Sequence, residues 1–239
     1  MSKKIVLVTG SGRGIGKVIA ERLERDGWTA VRHTPEDADL EDPASPAQLI
    51  ARVIQTYGRL DALVNNAALT TRSNLETTDV ALFDRLIAVN TRAPLLLVQA
   101  ALPHFRVQGG GKVVNIGSSN AYCGERNLLA YAISKGGLMT MTRNIADTYG
   151  SEGIRVNQLN LGWVLSDTEY ALKISEGLPP DWPEKLPKSN APSGTINQPE
   201  EVAALVAWLL SDEAPRVNGQ VWDFEQFPLI GRNPPKETR

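Results

Sequence analysis

The amino-acid sequence predicts a single α/β domain built on a parallel sheet. The chain has 239 residues, which suits one such domain with a sizeable core. Short continuous apolar runs, the first at residues 5–8, are typical of strands buried on both faces of a parallel sheet. Longer segments with helical spacing of apolar residues alternate with these runs, as the crossovers of a parallel sheet require.

The composition indicates a small-molecule partner. Lys plus Arg number 25 and Asp plus Glu 27, and no block of like charge indicates a nucleic-acid or membrane surface. The N-terminal apolar run is too short for a signal peptide and no later segment approaches a membrane span, so we expect a cytoplasmic protein. The single cysteine, Cys123, excludes an internal disulfide, and with only 2 histidines no metal site is expected. Cys123 is either a small packed side chain or a reactive thiol.

A glycine loop follows the first predicted strand. Residues 9–16 read Thr-Gly-Ser-Gly-Arg-Gly-Ile-Gly, and a helix follows that ends near Gly27. Glycines let the backbone approach a pyrophosphate, which free amides at the positive end of a helix attract. A plain strand-to-helix turn is the alternative, but the position directly after a buried strand favours a nucleotide site. Its residues are Gly10, Gly12, Arg13, Gly14, Ile15 and Gly16.

The second predicted strand, residues 29–33, ends without the carboxylate that usually binds the adenosine ribose and selects NAD. Arg32, His33 and Thr34 occupy this place, and Arg13 stands in the glycine loop. These groups favour a 2′-phosphate, so we expect NADP as the cofactor. NAD is the alternative, with arginines that merely face solvent.

The connection after the second strand is unusually short. Residues 34–38 leave too little chain for the helix of a parallel crossover before Asp39. We therefore expect this helix to be missing or vestigial and the sheet to be thin at that edge. Whether a third strand survives there stays open. Pro43 then starts a helix that ends at Gly58.

The next two elements carry asparagines. Residues 61–68 are predicted to form a buried strand with two asparagines near its carboxyl end, the edge where open parallel sheets bind ligands. Asp79 is expected to cap a long helix with Asn90 in its middle, where an asparagine either faces solvent or serves a site. Residues 95–102 are apolar on most faces, which indicates deep burial or a subunit interface.

The chemistry is expected between residues 118 and 135. A predicted strand at 112–117 leads to Ser118, whose hydroxyl can hydrogen-bond a substrate oxygen. Tyr131 and Lys135 are four apart, so on a helix they share one face. A nearby ammonium lowers the pKa of a phenol from about 10, which makes it a better acid/base near neutrality. The same pair also occurs by chance on many helices.

The C-terminal third is predicted to contain a strand at 153–160, a lid, a helix from Pro199 and a last strand at 219–224. The lid, residues 163–195, is rich in proline and irregular, as segments that close over a site commonly are. Its aromatic residues are Trp163, Tyr170 and Trp182. The tail after Gly231 is expected to be mobile.

Taken in order, these motifs resemble those of the short-chain dehydrogenase/reductase family over essentially the whole chain. The matching residues are the glycine loop, Asn65-Asn66-Ala67, Asn90, Ser118, Tyr131 and Lys135. The resemblance implies one Rossmann-like, doubly wound domain over residues 1–239. It also implies NAD(P)-dependent interconversion of a carbonyl and a secondary alcohol by a homodimer or homotetramer.

The resemblance further implies a role for each site residue. Tyr131 would be the acid/base, Ser118 would polarise the substrate oxygen, and Lys135 would hold the nicotinamide ribose. Asn90 would anchor a water for proton relay. Further cofactor contacts implied by the resemblance are Asp39 and Leu40 at the adenine, Asn66 and Ala67 at the cofactor ribose, and Val164 and Ser166 at the carboxamide. Ala68 and Gly162 are also expected to bind the cofactor.

Three positions depart from the family pattern. Ala68 replaces a glycine, which is tolerable if its φ is negative. Leu161 stands where the family has proline before Gly162. Residues 222–226 replace the common Asp-Gly-Gly, which puts the C-terminal oligomer contact in doubt.

The substrate is not specified by these motifs. Glu125, Arg126 and Asn127, beside the lid aromatics, suit a small polar substrate such as a sugar-like compound or an oxo acid. The tryptophans could equally pack the lid, with Arg126 solvated. A 3-oxoacyl thioester reductase is the alternative function. A non-catalytic cofactor-binding protein is a second alternative, against which the complete set of four reactive groups argues.

Overall fold

The computed structural model describes residues 3–122 and 125–227. The expectations for Cys123 and for the tail after Gly231 concern residues outside these ranges.

One sheet of six strands forms the centre of the molecule, in the order β2-β1-β3-β4-β5-β6, and all neighbouring pairs are parallel. The strands are β1 Ile5–Val8, β2 Thr29–Arg32, β3 Ala62–Asn65, β4 Gly111–Ser118, β5 Ile154–Leu161 and β6 Val221–Phe224. The order reverses at β1, between β2 and β3. This is the point where open sheets of this kind bind ligands, and the predicted doubly wound α/β fold is confirmed.

Helices cover both faces of the sheet. They are α1 Gly14–Arg25, α2 Ser45–Tyr57, α3 Val80–Ile87, α4 Ala93–Val107, α5 Leu129–Tyr149, α6 Asp167–Ser175 and α7 Pro199–Leu210. α1 and α7 share one buried apolar cluster with the strands, and α2, α4 and part of α5 share the other. β1 and β3 have no exposed residue, which explains their continuous apolar sequences.

The sequence signals at helix ends agree with the structure. The Asp79 carboxylate accepts the backbone N–H of Leu82 at 2.8 Å and so caps α3. Gly58 ends α2 with a φ of +73°, a conformation that glycine adopts without strain, and its N–H donates to the Ile54 carbonyl.

The short connection after β2 contains neither a strand nor a helix within the described residues. Thr34 begins a tight turn, in which its N–H and hydroxyl donate to the Asp37 carboxylate at 2.8 and 3.0 Å. The third strand therefore does not survive, and β2 is the edge of the sheet. The segment between β2 and α2 is too short to form both a crossover helix and a further parallel strand.

The helical stretch Val80–Val107 corrects one expectation. By length and composition it is long and apolar enough to cross a membrane, whereas no such segment was expected from the sequence. Half of its most apolar 18-residue segment is buried inside the fold, where Leu97 and Phe105 pack in the core. This burial identifies it with a core helix of the domain.

The lid is more regular than expected. It contains α6 and a single 3-10 turn at Trp182–Glu184. Trp163 stacks on Trp182 with ring centroids 5.0 Å apart, and Tyr170 stacks on the same ring at 6.3 Å. These contacts give the lid its own aromatic cluster.

Candidate active site

The predicted site residues lie at the carboxyl edge of the sheet. Gly10 follows β1, Asn66 follows β3, Ser118 ends β4 and Gly162 follows β5. Because every strand is parallel, these four positions meet at one edge. Tyr131 and Lys135 reach the same edge from the first turns of α5.

The structure brings Ser118, Tyr131 and Lys135 together. The Lys135 ammonium lies 5.8 Å from the centroid of the Tyr131 ring and donates to the Ile116 carbonyl at 2.8 Å. Ser118 is 7% exposed, and the Tyr131 phenol hydrogen-bonds with it. A phenol and a hydroxyl are therefore placed side by side to hold one substrate oxygen.

The titration of this cluster differs from the expectation. Burial raises the pKa of Tyr131, the Ser118 hydrogen bond lowers it, and the Glu169 carboxylate raises it, with a net upward shift. The prediction that the phenol pKa falls is therefore wrong, because burial and the Glu169 carboxylate together outweigh the Ser118 hydrogen bond. Burial lowers the pKa of Lys135 to about 8. At neutral pH the phenol is thus a proton donor beside a cation.

Asn90 faces the interior of the protein and lies 1% exposed in a π-helical segment, Ala88–Arg92, between α3 and α4. Its Nδ2 donates to the Leu69 carbonyl and to the Ser134 hydroxyl, at 2.9 and 3.0 Å, and its Oδ1 accepts the Leu69 N–H. The Ser134 hydroxyl in turn donates to the Tyr131 carbonyl at 2.6 Å. Asn90 therefore ties the loop after β3 to α5, which carries Tyr131, and its water-anchoring role stays a prediction.

A layer of buried amides supports α5 beneath these residues. Asn65 donates to Asn115 at 2.7 Å, Asn115 donates to Thr142 at 2.8 Å, and Thr142 donates to Gln158 at 3.0 Å. Gly117 leaves room for this layer, since a Cβ there would meet the Gln158 amide at 2.5 Å. Three strands are thus tied to α5 by polar contacts that fix its position.

The glycine loop has the shape of a nucleotide cradle. Gly10 and Gly14 have φ values of +64° and +56°, which glycine alone adopts easily. The N-cap residue Arg13 makes no side-chain capping hydrogen bond, so the first amides of α1 remain available to an anion. Asn66 holds the loop to the end of β3 by donating to the carbonyls of Thr9 and Gly10. The residues present fit a dinucleotide pyrophosphate.

Gly16→Ala is expected to weaken dinucleotide binding, because its Cβ would lie 2.5 Å from the Gly10 carbonyl oxygen and displace the loop. Overpacking of this kind costs about 1–3 kcal/mol. Fluorescence titration with NADH measures the effect. The control is Gly137→Ala on α5, whose Cβ would meet Thr91 at 3.3 Å. Equal affinity of the two variants for NADH would contradict the assignment of the glycine loop as the dinucleotide site.

The groups expected to bind a 2′-phosphate have other partners. Arg32 pairs with Glu24 on α1 at 2.9 Å. His33 is 1% exposed, accepts the Gly10 N–H on Nδ1 at 3.3 Å and faces the Ala38 carbonyl with Nε2 at 2.9 Å. His33 therefore links the glycine loop to the short connection after β2. Its buried position does not agree with the expectation that it contacts a phosphate.

The remaining predicted cofactor residues occupy varied positions. The Thr34 methyl packs over Gly12, and Asp39 is exposed while Leu40 is buried. Ala68 has a negative φ, since no described residue other than glycine has a positive one, so the replaced glycine is tolerated. Ile15 lies at the start of α1, Ala67 follows β3, and Gly162, Val164 and Ser166 follow β5 before α6.

Three site residues were missed by sequence reasoning. Thr168 lies against Gly14, with its hydroxyl oxygen 2.9 Å from the place of a Cβ. Glu169 follows it in α6, and Glu225 after β6 lies against Gly162 and accepts the Trp163 N–H at 3.4 Å. The only sequence signal was the acidic first turn of a helix inside the lid.

The predicted substrate-facing residues precede α5. Glu125, Arg126 and Asn127 are exposed. The Asn127 carbonyl accepts the Ser73 N–H at 2.8 Å, which holds this loop to the loop after β3. Their contact with a substrate stays a prediction.

A nucleotide cradle at the switch point of a parallel sheet, next to a serine, tyrosine and lysine cluster, defines a nicotinamide-dependent oxidoreductase. Comparison with known proteins specifies the family. Residues 31–225 match the family model described as enoyl-(acyl carrier protein) reductase. The chain belongs to the short-chain dehydrogenase/reductase family.

Characterised relatives match over nearly the full length. Levodione reductase of Leifsonia aquatica is 32% identical, with 91% of each chain covered. Cis-4-hydroxycyclohexanecarboxylate dehydrogenase of Sinomonas cyclohexanicum is also 32% identical, covering 92% of this chain and 94% of the relative. A crystal structure of levodione reductase superposes with a TM-score of 0.84 at 29% identity, covering 93% of this chain and 96% of that one.

Proposed function

We propose that this oxidoreductase reduces the ketone of a small polar substrate to a secondary alcohol, with Tyr131 as the proton donor. The observation that carries the proposal is the cluster of Ser118, Tyr131 and Lys135 beside the glycine loop. The raised pKa of Tyr131 keeps the phenol protonated at neutral pH, as carbonyl reduction requires. Oxidation of the alcohol is the reverse of the same step.

The reaction needs one hydride and one proton. A nicotinamide held beside the glycine loop and Lys135 would supply the hydride for the carbonyl carbon. Ser118 holds the carbonyl oxygen with its hydroxyl, and the Tyr131 O–H bond breaks as its proton passes to that oxygen. The Lys135 ammonium then stabilises the phenolate until solvent returns a proton.

We infer that the cofactor is NAD, contrary to the sequence-based preference for NADP. Arg32 is paired with Glu24 and His33 is buried, which leaves Arg13 as the cation of the predicted set. The short connection places the carboxylates of Glu36 and Asp37 at the end of β2, and Glu36 lies within electrostatic reach of Arg13. A 2′-phosphate would meet these negative charges, whereas ribose hydroxyls could donate to them.

Titration with NADH and NADPH, followed by nicotinamide fluorescence, tests this choice. NADH is expected to bind at least about tenfold more tightly, the factor that 1.4 kcal/mol supplies. Replacing Glu36 and Asp37 by Gln and Asn should narrow the difference. Tighter NADPH binding by the natural chain would overturn the inference and restore Arg13 as part of a phosphate site.

The substrate is proposed to be a small ring ketone with polar substituents. Trp163, which is partly exposed at the start of the lid, offers aromatic surface that suits an apolar ring. One relative is named for a hydroxycyclohexane compound, a ring with a secondary alcohol. Reduction of cyclic hydroxyketones, followed as NADH consumption, tests this proposal.

Reduction of a 3-oxoacyl thioester is the second candidate, because the matching family model is described by an acyl carrier protein substrate. Inhibition by free sugars or sugar acids without turnover of acyl thioesters would favour the ring ketone. A non-catalytic role is disfavoured by the four reactive groups that the fold brings to one edge.

We further propose that the protein works in the cytoplasm as a homodimer or homotetramer. Leu95 on α4 and Ile133 on α5 are 45% and 47% exposed and apolar, which suits a contact between subunits. Light scattering of the purified protein measures the subunit number. A monomer at micromolar concentration would contradict the proposal.

A further inference from the structure

A carboxylate lies in the first turn of α6, above the glycine loop. The Glu169 N–H donates to the Ser166 hydroxyl at 3.1 Å, and this contact caps the helix. The neighbouring Thr168 lies against Gly14. The first turn of α6 therefore rests on the nucleotide cradle, on the same side as the catalytic cluster.

The direction of this carboxylate is fixed by an aromatic side chain. The Trp163 indole N–H donates to Glu169 Oε1 at 2.7 Å. Trp163 stacks nearly parallel on Trp182, which is 3% exposed. A negative side chain is favourable in any first helical turn, but that effect alone would leave it free to face solvent. The indole N–H holds Glu169 in one orientation.

The neighbouring cation is shared between two acids. The Lys173 ammonium lies 3.8 Å from Glu169 Oε1 but 2.9 Å from Glu176 Oε2, and Glu176 also pairs with Arg72. Lys173 is thus bound more closely to Glu176, which leaves much of the Glu169 charge uncompensated.

The Glu169 carboxylate lies within electrostatic reach of the Tyr131 phenol. Among the described residues, the neighbours of this phenol are Ser118 from β4, Lys135 from its own helix and Glu169 from α6. Burial and the Glu169 carboxylate both raise the pKa of Tyr131, against the Ser118 hydrogen bond. A carboxylate that influences the phenol also faces the group on a substrate that neighbours the reacting carbonyl.

We propose that Glu169 determines substrate specificity by selecting ketones that carry a hydrogen-bond donor, a hydroxyl or an ammonium, beside the carbonyl, and by rejecting those that carry a carboxylate there. A donor satisfies the carboxylate, whereas a second carboxylate is repelled and leaves both groups poorly solvated. This inference rests on the proposed function, because it assumes that the substrate oxygen meets Tyr131. It departs from the sequence-based expectation of an oxo acid.

Glu169→Gln tests the inference, since the amide oxygen still accepts the Trp163 N–H while the charge is removed. The first measurement is the ionisation midpoint of Tyr131, taken from phenolate absorbance as the difference from a Tyr131→Phe background. The midpoint is expected to fall in Glu169→Gln and to stay in the control, Glu213→Gln, whose exposed side chain follows the C-terminal end of α7. An unchanged midpoint in Glu169→Gln would show that the carboxylate does not face the phenol and would overturn the proposal.

The second measurement uses three ketones that differ in one group: hydroxyacetone, aminoacetone and pyruvate. In Glu169→Gln, kcat/KM for pyruvate relative to hydroxyacetone is expected to rise by at least about tenfold and that for aminoacetone to fall. Glu213→Gln should leave both ratios unchanged. Unchanged ratios in Glu169→Gln would overturn the selectivity. Failure of the natural enzyme to reduce any ketone would count against the proposed function, while the titration, which needs no turnover, still decides whether Glu169 acts on the site.

Discussion

Tyr131→Phe is expected to lower kcat for ketone reduction by about 10²- to 10⁴-fold, the range that a general acid supplies. The substitution removes the proton donor and leaves Ser118 as the remaining hydroxyl on the substrate oxygen. The ring of Phe retains the packing beside Lys135, so the fold should persist. Steady-state NADH oxidation measures the effect.

Dinucleotide binding separates this loss from damage to the site. The Phe variant should bind NADH as the natural chain does, because the glycine loop is untouched. Tyr122→Phe is a suitable control, since the Tyr122 hydroxyl donates to Asp223, at 2.9 Å, outside the catalytic cluster. Equal turnover by Tyr131→Phe and the natural enzyme would refute the role of Tyr131 as the acid.

Lys135→Met is expected to lower turnover by about 10²- to 10³-fold, as loss of an electrostatic group does, and to stabilise the fold at pH 7. Lys135 is 2% exposed, and burial lowers its pKa from 10.5 to about 8. This difference corresponds to about 3 kcal/mol of destabilisation at neutral pH. Loss of the hydrogen bond to Ile116 offsets part of the gain, which leaves about 1–2 kcal/mol.

The two pKa values of Lys135, folded and unfolded, determine how this stability difference changes with pH. The folded state releases the Lys135 proton near pH 8 and the unfolded state near 10.5, so between these values the unfolded state binds more protons. The Lys135 contribution therefore makes the natural chain more stable as the pH rises through this window. Urea unfolding at both ends should show the advantage of Lys135→Met shrinking toward high pH. A variant that is less stable at pH 7 would contradict the unfavourable burial of Lys135.

Elements defined by neighbouring residues were predictable from the sequence. β1, the glycine loop and the start of α1 follow from a buried apolar run, glycine conformations and an uncapped helix end. Gly58 and Asp79 mark helix ends by local chemistry. The four residues predicted to be catalytic were identified through their order along the chain, which the family shares.

Properties that depend on tertiary contacts were not predictable. Arg32 looked available for a phosphate because its pairing with Glu24 requires β2 to pack beside α1. The Tyr131 pKa was expected to fall, but burial and Glu169 raise it by more than the Ser118 hydrogen bond lowers it. Glu169 could not be identified from the sequence, because its orientation depends on Trp163, which stacks on Trp182 only in the folded chain.

Transfer of deuterium from NADH deuterated at the nicotinamide C4 tests the central claim most directly. The protein is incubated with a mixture of cyclic hydroxyketones, and the alcohols are analysed by mass spectrometry. The account predicts that the natural chain places deuterium on the carbinol carbon of at least one product, and that Tyr131→Phe nearly abolishes it. Unlabelled products throughout, from a protein shown to bind NADH, would contradict it.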